Sequence, residues 1–348
     1  MTQETVPVVD QAAVAAAQAR QAQLTKPPGA LGGLEALVIR LAGLQGRECP
    51  RIDTCAITVF AADHGVTAEG ISAFPPSVTT QMVANFAAGG AAINALARHI
   101  GAQLEVLDVG TASDAPSPAG VRCERAGQGT HNLAEGPAMT REAREQATAS
   151  GAAAAERAAA AGADLYIPGE MGIGNTTSAA AVACALLGAR PEVLVGAGSG
   201  LDSDGVRRKI AVIERALTWH GDTLTGPDAI MERLGGYELA ALMGAYRRAA
   251  QLGMPVLLDG FIATVAAIAA IRRDPGIAAW LIASHRSAEL GHAHLQGYLK
   301  VEPLLDLGMR LGEASGAAVA VPLIRAACAV HAEMATFESA GITTGDTS

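Results

Sequence analysis

The 348-residue sequence predicts an α/β fold: a parallel sheet flanked by helices, with a smaller helical domain from both termini. Three observations carry that expectation. From residue 55 onward, short apolar runs recur, each closed by a glycine-containing polar turn and followed by a helix-prone stretch. Such alternation buries strands under helices on both faces, the Rossmann-like parallel arrangement. Half of the residues are hydrophobic and only 3% aromatic, so small aliphatic side chains must fill a sizeable, closely packed core. Finally, the N-terminal helical segments have no strand partner nearby, and are expected to join the C-terminal helices. The expected division is 1–54 and 301–348 for the two halves of the small domain and 55–300 for the large, substrate-binding α/β domain.

In chain order, residues 11–24 are rich in Ala and Gln and helix-prone. Lys26-Pro27-Pro28-Gly29 breaks that helix. A second helix is expected over residues 31–45, with Leu34, Leu37, Val38 and Leu41 at helical spacing. Six strand-like runs follow. Residues 56–61 end in Asp63-His64-Gly65, residues 104–109 in Gly110-Thr111, and residues 164–168 in the long turn from Gly169 to Thr177. Residues 193–195 end in Gly196-Ala197-Gly198-Ser199-Gly200, residues 256–258 in Asp259-Gly260, and residues 279–283 in Ser284-His285-Arg286-Ser287. Between them, residues 111–136, with Pro116 and Pro118, read as a loop, either a hairpin or an excursion. Residues 152–161 read as a buried, close-packing alanine helix, and the tail 343–348 as frayed. Ligands of open parallel sheets sit at the carboxyl ends of the strands. All six polar turns fall at that end, so the sequence points to one large site.

Composition excludes several function classes. The formal net charge is −9, from 25 basic and 34 acidic residues, with no basic block, so nucleic acid is not an expected partner. The five cysteines are odd in number and none is spaced C-x-x-C. They read as small core residues in a reducing compartment, and neither a disulfide framework nor a structural zinc is expected. Residues 1–10 do not form a signal peptide. The apolar stretch 256–271 is interrupted by Asp259 and Gly260 and is short for a span. The expectation is a soluble, cytoplasmic protein without a membrane partner.

The turn beginning at Glu170 is the most informative. Gly169, Gly172 and Gly174 allow a ligand to approach the backbone. Asn175, Thr176 and Thr177 offer donors at the start of the next helix, where phosphate binds well. No lysine lies in the turn, so it is not a Walker A loop; it could also be an ordinary glycine-rich turn with a helix cap. In the turn 196–202, Gly196, Gly198 and Gly200 alternate and miss the dinucleotide fingerprint. Lys209, in the helix beyond, could reach a phosphate as a point charge or be a solvated lysine. Glu313 lies among small residues at the edge of apolar segments, where desolvation would raise its pKa toward the general-base range. On the residues alone, an ordinary helix-start Glu stabilised by the dipole is the better reading. His285, His292 and His294, with Asp63 and His64, raise a metal site, but the 292/294 spacing suits a loop or strand and not the i, i+4 pattern of a helical zinc motif. Phe74-Pro75-Pro76-Ser77, followed by Gln81 and Met82, could hold a flat aromatic ligand or be a helix cap formed by Ser77 or Thr79.

Six motifs in order make the chain resemble the nicotinate-nucleotide–dimethylbenzimidazole phosphoribosyltransferase family over residues 26–340. They are the segment Lys26 to Glu35, Ala62-Asp63-His64-Gly65-Val66, Gly169 to Thr177, Gly196 to Asp202 with Lys209, Ser284-His285-Arg286-Ser287, and Leu307 to Glu313. The resemblance implies a homodimer acting on nicotinate mononucleotide and dimethylbenzimidazole, with no metal or organic cofactor. It implies Glu313, in the C-terminal part, as the general base and Glu170 as a second active-site carboxylate. Gly172, Gly174, Asn175, Thr176, Thr177, Gly198, Gly200, Lys209 and Ser287 would hold the phosphoribosyl or nicotinate end. Gln81, Met171, Met309 and Leu311 would line the base pocket. Two departures stand out: Ala197 where the family commonly has Arg, and Ala314 where Gly is frequent. The rival readings are a metal-dependent hydrolase using Asp63, His64, His285, His292 and His294, and a non-catalytic nucleotide-binding protein. The carboxylate pair speaks against the second, since a pure phosphate binder gains nothing from acids beside its ligand.

Overall fold

Eight consecutive buried residues, Cys55–Ala62, form β1, the strand on which the sheet is built. The run contains no charge, and its Ile, Thr and Val suit a pleated surface covered on both faces. The computed structural model describes residues 5–198 and 200–343. Within them the sheet continues with β2 (Gln103–Gly110), β3 (Val121–Cys123), β4 (Leu165–Met171), β5 (Val256–Leu258) and β6 (Leu281–Ala283). The spatial order is β3-β2-β1-β4-β5-β6 and every pairing is parallel. The order reverses between β1 and β4. Neighbouring connections leave in opposite directions there, which opens a crevice at the carboxyl ends of the strands.

Among the described residues, fourteen α-helical segments surround the sheet. Before and beside β1 and β2 come α1 (Gln11–Gln23), α2 (Gly33–Gln45), α3 (Ser77–Ala88) and α4 (Ala92–Ile100). Then follow α5 (Arg141–Ala160), α6 (Asn175–Leu187), α7 (Pro191–Leu194), α8 (Ser203–His220), α9 (Pro227–Leu234) and α10 (Tyr237–Gln251). The last are α11 (Phe261–Arg273), α12 (His292–Leu299), α13 (Ser315–Glu333) and α14 (Phe337–Ala340). Local signals set several of these boundaries. Asp10, Thr140 and Asp202 each accept a first-turn N–H as side-chain caps of α1, α5 and α8. The alanine-rich α5 meets α10 backbone to backbone: a Cβ at Gly151 would strike the Ala241 carbonyl, and one at Gly244 the Thr148 carbonyl.

The two ends of the chain meet. Arg20 donates to the carbonyls of His331 and Ala332, each at 2.7 Å, and Leu24 bridges to Thr336. Helix α13 packs on α2 and α4. By length and composition alone α13 could cross a membrane, but 56% of its most apolar window is buried inside the fold. The stretch 256–271, which the sequence marks as the most apolar, is instead β5 followed by α11.

Two expectations are corrected. Residues 193–195 are not a strand: Pro191 occupies the first turn of α7, and Val195 N–H bonds back to the Pro191 carbonyl at 2.8 Å. Within the expected loop 111–136, Val121–Cys123 adds an edge strand beside β2. Ser199 and residues 344–348, nearly all of the expected tail, lie outside the described residues.

Candidate active site

A cavity of about 480 Å³ opens at the carboxyl ends of β4, β5 and β6, beside α3. Its floor is the last turn of β4 and the segment 310–313 that leads into α13. A Cβ at Gly169 would run into the Ala314 backbone, so the bare glycine is what lets that segment lie against β4. The Glu313 N–H then donates to the Glu170 carbonyl at 3.2 Å, and Gly312 sits against the Glu170 carboxyl. Glu313 and Ala314 both take left-handed backbone conformations, φ 61° and 66°, where L-residues are strained.

Both carboxyls therefore face one cavity and both are buried. Burial pushes the Glu170 carboxyl up to about 8, reinforced by Asp259 and Glu238 nearby, while a hydrogen bond from Asn175 Nδ2 acts the other way. Burial also raises Glu313, which faces the Ile93 backbone N–H in the first turn of α4. Its second oxygen, Oε2, has no partner. This is the environment of a poised proton acceptor.

At the other end, α6 begins after Gly174, whose φ of 91° needs glycine, and no side chain caps its first turn. The Asn175 and Thr177 N–H groups already bond the Gly172 and Gly174 carbonyls, at 3.2 and 3.0 Å, so it is the helix dipole that favours an anion there. Lys209 is 1% exposed and donates from Nζ to Thr176 Oγ1 at 2.7 Å. Burial lowers its pKa to about 8, and among the described residues no carboxylate forms an ion pair with it. The Glu289 carboxylate in the cavity wall acts against that lowering, and a buried lysine beside an uncapped helix start can receive an anion. Gly198 stands between Lys209 and the cavity, and Arg310 donates to the Gly198 carbonyl at 3.1 Å. Phe74, Val78, Met82, Ile173, Phe261 and Leu311 make one wall apolar, and His285, Ser287 and Glu289 lie on another. One room thus joins an anion-binding end, two desolvated acids and an apolar surface fit for a flat ring.

The chain matches the phosphoribosyltransferase family DBI_PRT over residues 6–342. It belongs to that family. A relative from Azotobacter vinelandii named nicotinate-nucleotide–dimethylbenzimidazole phosphoribosyltransferase is 55% identical over 335 residues, covering 96% of this chain and 95% of its own. One of the same name from Pseudomonas fluorescens is 54% identical, with the same coverage. A crystal structure of CobT from Thermus thermophilus superposes with a TM-score of 0.92 at 48% identity, over 96% of this chain and all of that one.

In this phosphoribosyltransferase the structure brings most of the expected residues together. Glu170, Met171, Gly172, Asn175, Thr176, Gly198, Ser287, Leu311 and Glu313 line the cavity. Gly174 and Lys209 stand just behind its wall, at the start of α6 and in α8. Other expected residues do not line it. Gln81 is exposed on α3, and the residue after it, Met82, takes the wall position. The reason is helical phase: Val78 and Met82 are four apart and share a face, which Gln81 leaves. The helix is not capped by Ser77 or Thr79; Thr79 instead accepts the Ile173 N–H at 3.1 Å and ties α3 to the turn after β4. Thr177 is buried inside α6, Gly200 lies beyond the wall, and Met309 uses its carbonyl to hold Ala288 N–H at 2.8 Å. The turn after β2 is taken up by structure, with Asp108 accepting the Thr111 N–H at 2.9 Å and the Thr111 hydroxyl at 2.8 Å.

Val78, Glu289 and Arg310 also line the cavity and were not assigned from the sequence, although Arg310 stands inside a quoted motif; Phe74 lines it as a possible flat-ligand surface would, and His285 lines it without the metal role weighed for it. The Ser284 hydroxyl donates to the Leu258 carbonyl, so it must accept at 2.9 Å from His285 Nδ1–H, with Asp259 4.0 Å away. The constellation for a metal does not assemble. His64 is fully buried against Glu238 at 2.7 Å, and Asp63 accepts the Ala112 N–H. His292 and His294 lie on α12, not on a strand or loop, and His294 faces outward. Among the described residues no three metal-ligating side chains group together.

Proposed function

We propose that this chain transfers the phosphoribosyl group of nicotinate mononucleotide to dimethylbenzimidazole, giving α-ribazole 5′-phosphate and nicotinate. The observation that carries this reading is the single cavity with Lys209 and the α6 start at one end and Glu170 and Glu313 beside an apolar wall at the other. The relatives' names agree with it. Nicotinate leaves as a neutral ring nitrogen, and the anomeric carbon acquires oxocarbenium character that the Glu313 carboxylate can stabilise before it takes up a proton. One benzimidazole nitrogen attacks while Glu313 takes the proton from the other. Holding both rings in one room replaces a bimolecular encounter with a positioned one. Phosphate rests on the first turn of α6, with Lys209 and Ser287. We further take the enzyme to act in the cytoplasm as a homodimer, without metal or organic cofactor, with residues 1–54 and 301–348 as its small domain. Incubation with both substrates, followed by mass analysis, should reveal nicotinate and a ribazole phosphate. Saturable binding of the nucleotide without nicotinate release would overturn the reading in favour of a binding protein.

A further inference from the structure

The loop after β6 supplies His285 and Ser287 to the cavity wall, and two side chains one turn apart on α12 hold it from behind. His292 Nδ1 accepts the Ser287 N–H at 2.7 Å. Gln296 Nε2 donates to the His285 carbonyl at 2.9 Å. A backbone N–H can only donate, so Nδ1 of His292 must be the bare nitrogen and the ring proton must sit on Nε2. That proton faces Thr264 Oγ1 at 3.0 Å, and the Thr264 hydroxyl donates onward to the Gly260 carbonyl at 2.8 Å. Gly260 is itself part of the cavity wall. One imidazole thus ties the loop after β5 to the loop after β6 through a chain of bonds with a single consistent direction. Ser287, His292 and Thr264 are all buried. Burial, then the neighbouring His285, lowers the His292 pKa to about 3, so the ring stays neutral at working pH. A second proton, on Nδ1, would collide with the Ser287 N–H.

We propose that His292 is a positioning residue for the nucleotide end of the site: as the Nε2–H tautomer it sets where Ser287 stands, and through Ser287 the affinity for the phosphoribosyl donor. The inference rests on the cavity being the nicotinate mononucleotide site. A side chain needed only to fill space would be judged by its volume; this one would be judged by its acceptor.

Three variants separate these roles. His292→Asn keeps an acceptor near the Nδ1 position and loses the reach to Thr264. His292→Gln reaches Thr264 but offers no acceptor to Ser287. His292→Leu does neither. The expected result is a roughly tenfold rise in KM for nicotinate mononucleotide in the Gln and Leu variants, from the loss of one buried bond. The Asn variant should stay within about threefold of wild type, and KM for dimethylbenzimidazole should move less than about twofold throughout. Equal KM in the Asn and Gln variants, or loss of kcat with both KM values unchanged, would overturn the proposal. Melting temperatures identify a variant that fails to fold; Thr264→Val, nearly isosteric, then breaks the far bond and should raise the same KM about two- to threefold, an unchanged KM counting against the proposal. Should wild type release no nicotinate, the proposed activity falls, and the same variants are compared by calorimetric Kd for the nucleotide, where equal Kd values would sink the His292 role separately.

Discussion

Replacing Glu170 by Gln should flatten the pH dependence of stability. In the fold its carboxyl holds a proton up to about pH 8, whereas an unburied Glu lets go near 4.5. The folded state therefore binds more protons between those limits, and its stability falls as pH rises through them. The contribution is fully present below pH 4.5 and is lost as the pH passes 8. At ~1.4 kcal/mol per pH unit, the ionised form costs on the order of 5 kcal/mol. Gln occupies nearly the same volume, can accept the same Asn175 bond, and cannot ionise. Urea denaturation at pH 5 and pH 8 should show the variant gaining roughly 3 kcal/mol on wild type over that interval, a midpoint shift of about 1 M at an m-value near 3 kcal/mol/M. Glu313 and Asp259 give a slope common to both proteins, which subtraction removes. Parallel stability curves for the two proteins would refute the claim that Glu170 is desolvated and protonated in the resting site.

Glu313→Gln should lower kcat by about 10²- to 10⁴-fold with little change in either KM, measured by nicotinate release. Lys209→Met should raise KM for nicotinate mononucleotide roughly 10- to 100-fold, since a buried charge-assisted contact is lost, and leave KM for the base unchanged. Gly169→Ala should cost about 10²-fold in kcat, because its methyl would displace the backbone beside Glu313. Ala314→Gly should be close to neutral in melting temperature: strain relief of ~1–2 kcal/mol is offset by ~0.5–1 kcal/mol of glycine entropy and ~0.8 kcal/mol for the buried methyl. A gain above about 2 kcal/mol would mean that these opposing effects are misjudged.

Most of the sheet was legible because its strands are long or wholly apolar. Residues 56–61 fall inside β1, 104–109 inside β2, and 256–258 coincide with β5. The failures are short. Three residues, Val193-Leu194-Val195, fit a strand or a helical turn equally, and Pro191 decided for the turn. Val121–Cys123 is too brief to show a period at all. In the site, the two carboxylates were found through the family motifs that contain them, since the residues around Glu313 alone fit a helix start as well. What was missed depends on phase or on partners distant in sequence. Choosing Met82 over Gln81 needs the orientation of α3, and His292 acquires meaning only when Ser287, Thr264 and Gly260 surround it.

The segment bearing Glu313 continues directly into α13, and α13 is gripped by the first two helices of the chain. The proton acceptor is therefore held on one side by β4 and on the other, through α13, by the N-terminus, some three hundred residues away along the polypeptide, while the phosphate end does without that second support. Damage to α1 or to the Arg20 contacts with His331 and Ala332 would loosen the chemistry and spare donor binding. A molecule clipped near its start would still capture its nucleotide and then fail to use it.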